Sequence, residues 1–260
     1  LRFRRYVIMN IIEKFQDDEA YYADKEYLSN CMLKLLRQSP TKFHLMRQGK
    51  WSYPSASFFD VGTALHSLFL EGIDNTVLWS GTRRGNDYKE FKLEHSDKLV
   101  LPKKDYDTVH NMFDKLKRLD EVEELMGLKF EAEVPGVMDH ITPTFANIKL
   151  KGKADALCFD GDTNYLVDLK TTAKSLDDFR KGARWMMYNQ QAYLYSKIFG
   201  VDEFYFLVVE KEFPYEVGIF KASDEFLHSG EMEFNKSIQM YEELFLNQEF
   251  NPYNVRYGEL

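Results

Sequence analysis

The pattern of apolar and polar positions divides the chain into a helical first half and a strand-rich second half. In "SNCMLKLLRQSP" the apolar residues recur at helical spacing after Ser29, a helix-capping residue type, and the pattern stops before Pro40. The segment "SFFDVGTALHSLFLEG" has the same spacing and ends at Gly72, and a further helix is predicted after Pro102. Residues 79–98 are glycine-rich, charged and without periodicity, so we predict a long exposed loop there.

From Lys129 onward the apolar residues lie in short runs rich in β-branched and aromatic side chains, which is typical of strands. Five strands are predicted, in "KFEAEVPGVM", "NIKLKGKADALCF", "NYLVDLKTT", "EFYFLVVEK" and "YEVGIFKA". A long helix within residues 175–199, capped by Ser175 and ended by Gly200, separates the third strand from the fourth. A closing helix over roughly residues 224–246 completes an α/β or α+β fold. We expect one compact domain, with a helical N-terminal region (residues 1–128) packed on a core of residues 129–260.

The composition is that of a soluble globular protein. The 260 residues are 44% hydrophobic, and a net charge of −8 argues against non-specific coating of nucleic acid while permitting a local basic groove. No apolar stretch approaches the roughly 20 residues that span a bilayer, and residues 1–15 lack the pattern of a secretion signal, so we expect a cytoplasmic protein with no membrane partner. Cys31 and Cys158 lie far apart among apolar neighbours, which favours reduced core thiols.

The predicted strand "NYLVDLKTT" carries the first chemical signal, because it places Asp168 and Lys170 on one face of an apolar run. The preceding strand contributes Asp155 and is joined to it by "DGDTN", which favours a hairpin. If Phe159 paired with Tyr165 across a five-residue loop, Asp155 would face away from Asp168. A shift of one residue, from a six-residue loop or a bulge, sets the two acids opposite each other, and we expect this shifted register. Two adjacent carboxylates attract a divalent cation, and oxygen ligands suit Mg²⁺.

Residues elsewhere in the chain strengthen this candidate site. His66 lies one turn beyond Gly62 in an apolar helix, and Gln191 and Tyr195 form an i,i+4 pair on the helix after the hairpin. Either Glu131 or Glu133 could add an acidic ligand for a second ion. Basic residues flank the site and could contact DNA or simply face solvent: Lys149, Lys151, Lys153, Lys174, Arg180, Lys181 and Arg184.

Each feature also has a purely structural interpretation. The Asp168–Lys170 pair could be an ion pair at a strand end, and His66 could be a hydrogen-bonded core histidine. Gln191 and Tyr195 could serve packing alone.

In chain order, Gly62-x-x-x-His66, Gly152-x-x-Asp155, Asp168-x-Lys170-Thr171 and Gln191-x-x-x-Tyr195 resemble the motifs of the RecB-like branch of the PD-(D/E)XK nucleases. The nearest likeness is to the RecE-type (exonuclease VIII) phage and prophage exonucleases, and it extends from about residue 20 to about residue 250. One departure is Ala154, which replaces the proline of the "PD" pair. The resemblance implies a restriction-endonuclease-like core, in which helices flank a mixed central sheet.

The resemblance also implies a metal site. His66, Asp155 and Asp168 would bind Mg²⁺, and the Leu169 carbonyl would complete the protein ligands. A histidine ligand makes Mn²⁺ a plausible substitute.

The remaining matched residues would act on the substrate. Lys170 would orient or help deprotonate the attacking water and stabilise charge on the phosphate. Gln191 and Tyr195 would support the site or contact the DNA backbone.

The implied activity is digestion of linear double-stranded DNA from the 5′ end. This digestion leaves a 3′ overhang, to which a RecT-type single-strand annealing protein would bind. A ring-shaped homo-oligomer is expected on the same grounds. Two other functions stay open: a non-catalytic DNA-binding or assembly module with the same fold, and a structure-specific endonuclease.

Overall fold

The computed structural model describes residue 15 and residues 17–53, 57–127, 129–161 and 163–252. Its helices, in chain order, are α1 (Asp18–Ala23), α2 (Asn30–Gln38), α3 (Pro40–Arg47), α4 (Ser57–Leu70), α5 (Asn86–Glu94), α6 (Lys103–Lys117), α7 (Asp120–Met126), α8 (Leu176–Gly182), α9 (Tyr188–Phe199) and α10 (Asp224–Tyr241), which continues as a π-helix (Glu242–Leu246). Its strands are β1 (Leu28–Ser29), β2 (Thr76–Trp79), β3 (Leu99–Pro102), β4 (Phe130–Ile141), β5 (Asn147–Asp160), β6 (Thr163–Thr172), β7 (Glu203–Glu210) and β8 (Val217–Lys221).

Within the described residues, six strands form one mixed sheet. The path along the sheet is β1-β5-β6-β7-β8, and β4 pairs with the other edge of β5. The β1–β5 and β6–β7 pairs are parallel, while β4–β5, β5–β6 and β7–β8 are antiparallel. Strand β1 pairs with Leu150 and Lys151, and β6 pairs with residues 156–160, so residues 152–155 of β5 lie between these two pairings.

Helices cover both faces of this sheet, because its inner strands are apolar on both sides. One core packs α2, α9 and α10 against residues such as Leu166, Phe204 and Val208. The other packs α4, α6 and α7 against residues such as Val167 and Leu207. This arrangement confirms the predicted mixed sheet flanked by helices. No helix of the described ranges is long and apolar enough to cross a lipid bilayer.

Several predicted boundaries are confirmed by their caps. The Ser29 hydroxyl accepts a hydrogen bond from the Met32 N–H at 3.3 Å, and the Ser175 hydroxyl accepts one from the Asp178 N–H at 3.1 Å. Gly200 ends α9 with a left-handed φ of 63°, a conformation that glycine adopts at little cost.

The prediction of one long loop at residues 79–98 is wrong, because this stretch contains helix α5. No residue of α5 is fully buried, so an apolar stripe that would reveal the helix is missing from the sequence. Instead, the rings of Tyr88 and Phe91 pack against Trp79, with centroid distances of 5.5 and 4.9 Å. The short strands β1, β2 and β3 also interrupt the half that was predicted to be helical.

The predicted helix within residues 175–199 is two helices, α8 and α9, separated by residues 183–187. Met187 has a left-handed φ of 55°, which a continuous right-handed helix cannot contain. The helix predicted after Pro102 likewise divides into α6 and α7. Both cysteines are free, but only Cys158 is buried; Cys31 is exposed, contrary to the prediction of a core thiol.

Candidate metal centre

The β5–β6 hairpin sets Asp155 opposite Asp168. Asp160 pairs with Thr163 across a tight turn, and the register runs on to Ala156 and Val167, immediately before the two acids. This is the expected shifted register, but its expected cause is wrong: Phe159 pairs with Asn164, so a shorter connection produces the shift, not a six-residue loop or a bulge. The Asp155 carboxylate points toward β6, where its Oδ2 accepts a hydrogen bond from the Leu169 N–H at 2.8 Å.

Helix α4 brings His66 to the same place on β6. The closeness of helix and strand is visible at Gly62, where an added Cβ would lie 3.5 Å from the Thr171 hydroxyl. One turn later the His66 imidazole Nε2 lies 2.7 Å from the Leu169 carbonyl oxygen. The backbone of Leu169 therefore contacts both candidate ligands, the carboxylate of Asp155 through its N–H and the imidazole of His66 through its C=O.

Glu133, from β4, completes a group of three ligand-type side chains. The His66 Nδ1 lies 3.7 Å from Asp155 Oδ2 and 3.9 Å from Glu133 Oε1, and one ligand atom from each residue lies within 4.8 Å of the others. Ala132 pairs with Ala156 and Val134 with Ala154, so Glu133 lies opposite Asp155, and it adopts a left-handed φ of 54°, which is uncommon outside glycine. Of the two glutamates left open by the sequence, Glu133 is the one that faces this site, whereas Glu131 is exposed.

The charges of this group shift one another's ionisation. Burial disfavours a charged imidazole, but Asp155 and then Glu133 outweigh it and raise the pKa of His66 to about 9. Burial raises the pKa of the Asp155 carboxyl to about 6, against the opposing charge of His66. Burial would also raise the pKa of Glu133, but contacts with His66 and Lys153 hold it below its usual value. At neutral pH the group is thus an imidazolium between two carboxylates.

Asp168 forms a second set of contacts directly beside this group. Its side chain is 1% exposed, its Oδ1 accepts a hydrogen bond from Gln191 Nε2 at 2.6 Å, and its Oδ2 forms an ion pair with Lys170. Burial would lower the pKa of Lys170, but Asp168 and then Asp155 raise it above its ordinary value, so the ammonium stays charged. The ring of Tyr188 lies under Lys170, with the ammonium 5.5 Å from its centroid. Sequence reasoning missed Tyr188, although its i,i+3 spacing from Gln191 places the two on one helix face.

Tyr195 lies in the wall of a cavity of about 410 Å³, which His66, Glu133 and Asp155 also line. Its ring packs on Gly152, where an added Cβ would lie 2.9 Å from a ring carbon. This contact explains the glycine of the Gly152-x-x-Asp155 motif, because any larger residue would displace the tyrosine. Burial raises the pKa of the Tyr195 hydroxyl well above its ordinary value, so it remains a neutral phenol.

Most of the basic residues that flank the site have partners inside the protein. Lys149 pairs with Glu26, Lys153 pairs with Glu133, and the buried Lys151 ammonium donates to the carbonyl of Asp24 at 2.9 Å. On α8 and the turn after it, Arg180 pairs with Asp177 and Arg184 with Glu225. The alternating lysines of β5 therefore support the fold and the site rather than presenting a free basic face.

The donor set fits a divalent cation. Carboxylate and carbonyl oxygens are the ligands that Mg²⁺ prefers, and the imidazole extends the fit to Mn²⁺. The carboxylates of Asp155 and Glu133 lie close enough together for one divalent cation to take the place of the positive charge that the protonated His66 supplies between them.

A mixed sheet covered by helices on both faces, with acids on neighbouring strands and a lysine two residues after the second acid, defines the class of the PD-(D/E)XK nuclease fold. The family "PDDEXK-like domain of unknown function (DUF3799)" matches residues 29–255, and this chain belongs to it. No curated protein matches the sequence.

One solved structure shares the fold of this chain. A "Putative exonuclease" from Eubacterium rectale aligns with a TM-score of 0.64 at 16% identity, over 94% of this chain and 95% of that one. The structure named SSO0001 aligns with a TM-score of 0.34 at 14% identity, over 76% of this chain and 88% of that one. At such identities the first likeness establishes the shared fold alone.

Proposed function

We propose that this protein is a metal-dependent deoxyribonuclease that hydrolyses phosphodiester bonds of linear double-stranded DNA. The observation that carries the proposal is the convergence of His66 from α4, Glu133 from β4 and Asp155 from β5 beside a half-buried, charged lysine, Lys170. Membership of a PDDEXK-like family supports the same chemistry.

The proposed ligands of the ion are His66, through Nδ1, with Asp155 and Glu133. Asp168 and the Leu169 carbonyl, which the sequence resemblance implies as ligands, are proposed as positioning groups, because Asp168 holds Gln191 and Lys170 and the carbonyl accepts from His66 Nε2. Mg²⁺ is the proposed cofactor, and Mn²⁺ is expected to replace it. When bound, the ion supplies positive charge that favours ionisation of a water and stabilises negative charge on the phosphate.

The side chains around the ion have separate tasks in this proposal. Lys170, held by Asp168 and resting on Tyr188, places a fixed positive charge where charge increases on the phosphate during attack. Gln191 holds the other oxygen of Asp168, so it positions the acid and, through it, the lysine. Tyr195 shapes the cavity beside the acids. Because these groups are fixed by packing before substrate binds, little reorganisation is needed during the reaction.

The finer assignment is an exonuclease of the RecE type that degrades the strand from its 5′ end. Its support is the order and spacing of the four sequence motifs. The description of the Eubacterium rectale protein as a "Putative exonuclease" is consistent with exonuclease activity in general. The strand left behind would be the substrate of a RecT-type annealing protein, and a ring of identical subunits would keep the enzyme on its DNA.

The experiment is a cleavage assay on linear duplex labelled at the 5′ or the 3′ end, with Mg²⁺, Mn²⁺ or EDTA. The account predicts metal-dependent release of 5′-labelled nucleotides and no cleavage of covalently closed circular DNA. Asp155→Asn should abolish cleavage, whereas Asp160→Asn, the same change at an exposed position of β5, should not. Cleavage of closed circles would identify an endonuclease, and equal activity of wild type and Asp155→Asn would refute catalysis at this site.

A further inference from the structure

Lys34 differs from the other lysines around the site. Lys151, Lys153 and Lys170 all have internal partners, as described above. Among the residues that the structure describes, the Lys34 ammonium has no carboxylate within ion-pair distance, and it lies over the ring of Tyr188.

Helix α2 places Lys34 at the ring of Tyr188, which Lys170 also contacts. Leu33 and Leu35 on either side are buried, and Lys34 itself is half-buried at the surface between them. Its ammonium lies 5.5 Å from the centroid of the Tyr188 ring, the same distance that separates Lys170 from that ring. One tyrosine thus holds two ammonium groups, and the face of a tyrosine ring attracts cations.

The two positive charges are not equally compensated. Asp168 neutralises Lys170, but no acid within the described part of the chain forms an ion pair with Lys34. Burial lowers the pKa of Lys34, and the like charge of Lys170 acts in the same direction, while Cys31 opposes them. Holding a partly desolvated cation beside another cation costs free energy, which an anion bound between or beside them would recover.

We propose that Lys34 binds a phosphate of the substrate strand adjacent to the phosphate that Lys170 contacts, so that Lys34, Tyr188 and Lys170 form one phosphate-binding surface. This inference rests on the proposed function, because DNA supplies the anions. Successive phosphates of one strand carry one negative charge each, which matches two lysines on a common ring better than it matches an isolated anion. Lysine suits the role because its ammonium is a compact positive charge with three N–H groups, which can donate hydrogen bonds to a phosphate that approaches from many directions.

The test is binding of a fluorescent linear duplex at several salt concentrations, with Ca²⁺ in place of Mg²⁺ and a gel to verify that the DNA stays intact. Removing one phosphate contact should lower the slope of log Kd against log salt concentration by about 1. We expect this change for Lys34→Met, together with a Kd about 5–10 times higher at low salt. Lys34→Arg should restore the slope, since it restores the charge.

Lys197→Met is the matched control. Lys197 also lies over a tyrosine ring, that of Tyr193, with its ammonium 5.3 Å from the centroid. It lies nine residues after Tyr188 on α9, about 14 Å farther along the helix. This variant should keep the wild-type slope. If Lys34→Met does not fold, as judged by circular dichroism, Lys34→Gln takes its place.

The outcomes separate this inference from the proposed function. A slope unchanged in Lys34→Met, or lowered equally in Lys197→Met, overturns the phosphate site even if the wild type cleaves DNA. A Lys34-dependent slope in a protein that cleaves nothing with Mg²⁺ or Mn²⁺ supports the phosphate site and refutes the nuclease.

Discussion

The imidazole Nε2 of His66 lies 2.7 Å from the carbonyl oxygen of Leu169, which joins helix α4 to the central strand β6. Because Nε2 donates to this carbonyl, the other nitrogen, Nδ1, faces Asp155 and Glu133. A histidine that could have been a simple core residue is thereby oriented toward two acids. The hydrogen bond fixes the ring as a partner carbonyl commonly does for metal-binding histidines.

Glu133→Gln should weaken metal binding. The substitution removes one negative charge from the group with His66 and Asp155 while keeping the shape of the side chain. We expect the Kd for Mn²⁺, measured by calorimetry, to rise about 10–100-fold. Glu131→Gln, two residues earlier on β4 and exposed, is the control and should bind Mn²⁺ like the wild type. Equal affinities for the two variants would exclude Glu133 as a ligand.

Metal binding should release a proton at neutral pH. The pKa of His66 is raised to about 9, so the metal-free protein holds a proton on the ring at pH 7, and an ion bound by that ring must displace it. The affinity for Mn²⁺ should therefore rise about tenfold per pH unit from pH 7 to 8 and level off above pH 9. Below pH 6 the slope should steepen, since the pKa of Asp155 is raised to about 6 and its proton must also leave.

Calorimetry in buffers of different ionisation enthalpy measures this proton release directly. His66→Ala should abolish it at pH 7 and bind the ion more weakly. Proton release that is the same in His66→Ala as in the wild type would mean that another group titrates.

Lys170→Met should lose activity and stability together. The change leaves the Asp168 carboxylate, whose side chain is 1% exposed, without its ion-pair partner. Removing one member of a buried pair costs about 3–5 kcal/mol of the free energy of unfolding, and Asp168→Asn in the same chain should recover much of this loss without restoring cleavage. Chemical denaturation measures the first effect and the DNA assay the second.

The exposed Lys103–Asp107 pair on α6 provides the comparison, since Lys103→Met should change stability by less than about 1 kcal/mol. If the double variant Lys170→Met with Asp168→Asn were no more stable than Lys170→Met alone, Lys170 would stabilise the fold through contacts other than the one with Asp168.

Gly152→Ala should destabilise the protein through Tyr195. The new methyl group would lie 2.9 Å from the tyrosine ring, so the ring must move, at a cost of about 1–3 kcal/mol in the free energy of unfolding. Tyr195→Leu in the same chain should relieve the clash. Gly182→Ala is the control, because an added Cβ at Gly182 has no neighbour within 4 Å. If Gly152→Ala and Gly182→Ala unfold at the same denaturant concentration, the expected clash between residue 152 and the ring of Tyr195 does not occur.

The parts of the fold with strong local signals could be predicted from the sequence. The strands β4 to β8 have clear apolar patterns, and Ser29 and Ser175 cap the helices that follow them. The facing of Asp155 and Asp168 followed from the alternation of side chains and a choice between two registers. By contrast, α5 buries no residue fully, and its three-ring cluster with Trp79 leaves no periodic trace.

The candidate site was predictable only as far as its residues repeat a spaced pattern. His66, Asp155 and Gln191 lie at such positions, whereas the sequence could not choose between Glu131 and Glu133, because residues two apart in a strand share a face and only the pairing of β4 with β5 puts Glu133 opposite Asp155. Lys34 is also invisible as a site residue, because its closeness to Lys170 arises from the packing of α2 beside the start of α9. Long-range contacts of this kind follow from tertiary structure, not from local patterns.

The most direct test is a crystal soaked in Mn²⁺, with anomalous diffraction recorded at the manganese absorption edge. The account predicts a strong peak bounded by the His66 imidazole and the carboxylates of Asp155 and Glu133, absent from crystals of Asp155→Asn. Crystals whose manganese binds elsewhere, with the His66 imidazole still enclosed by Leu169 and the two acids, would contradict it.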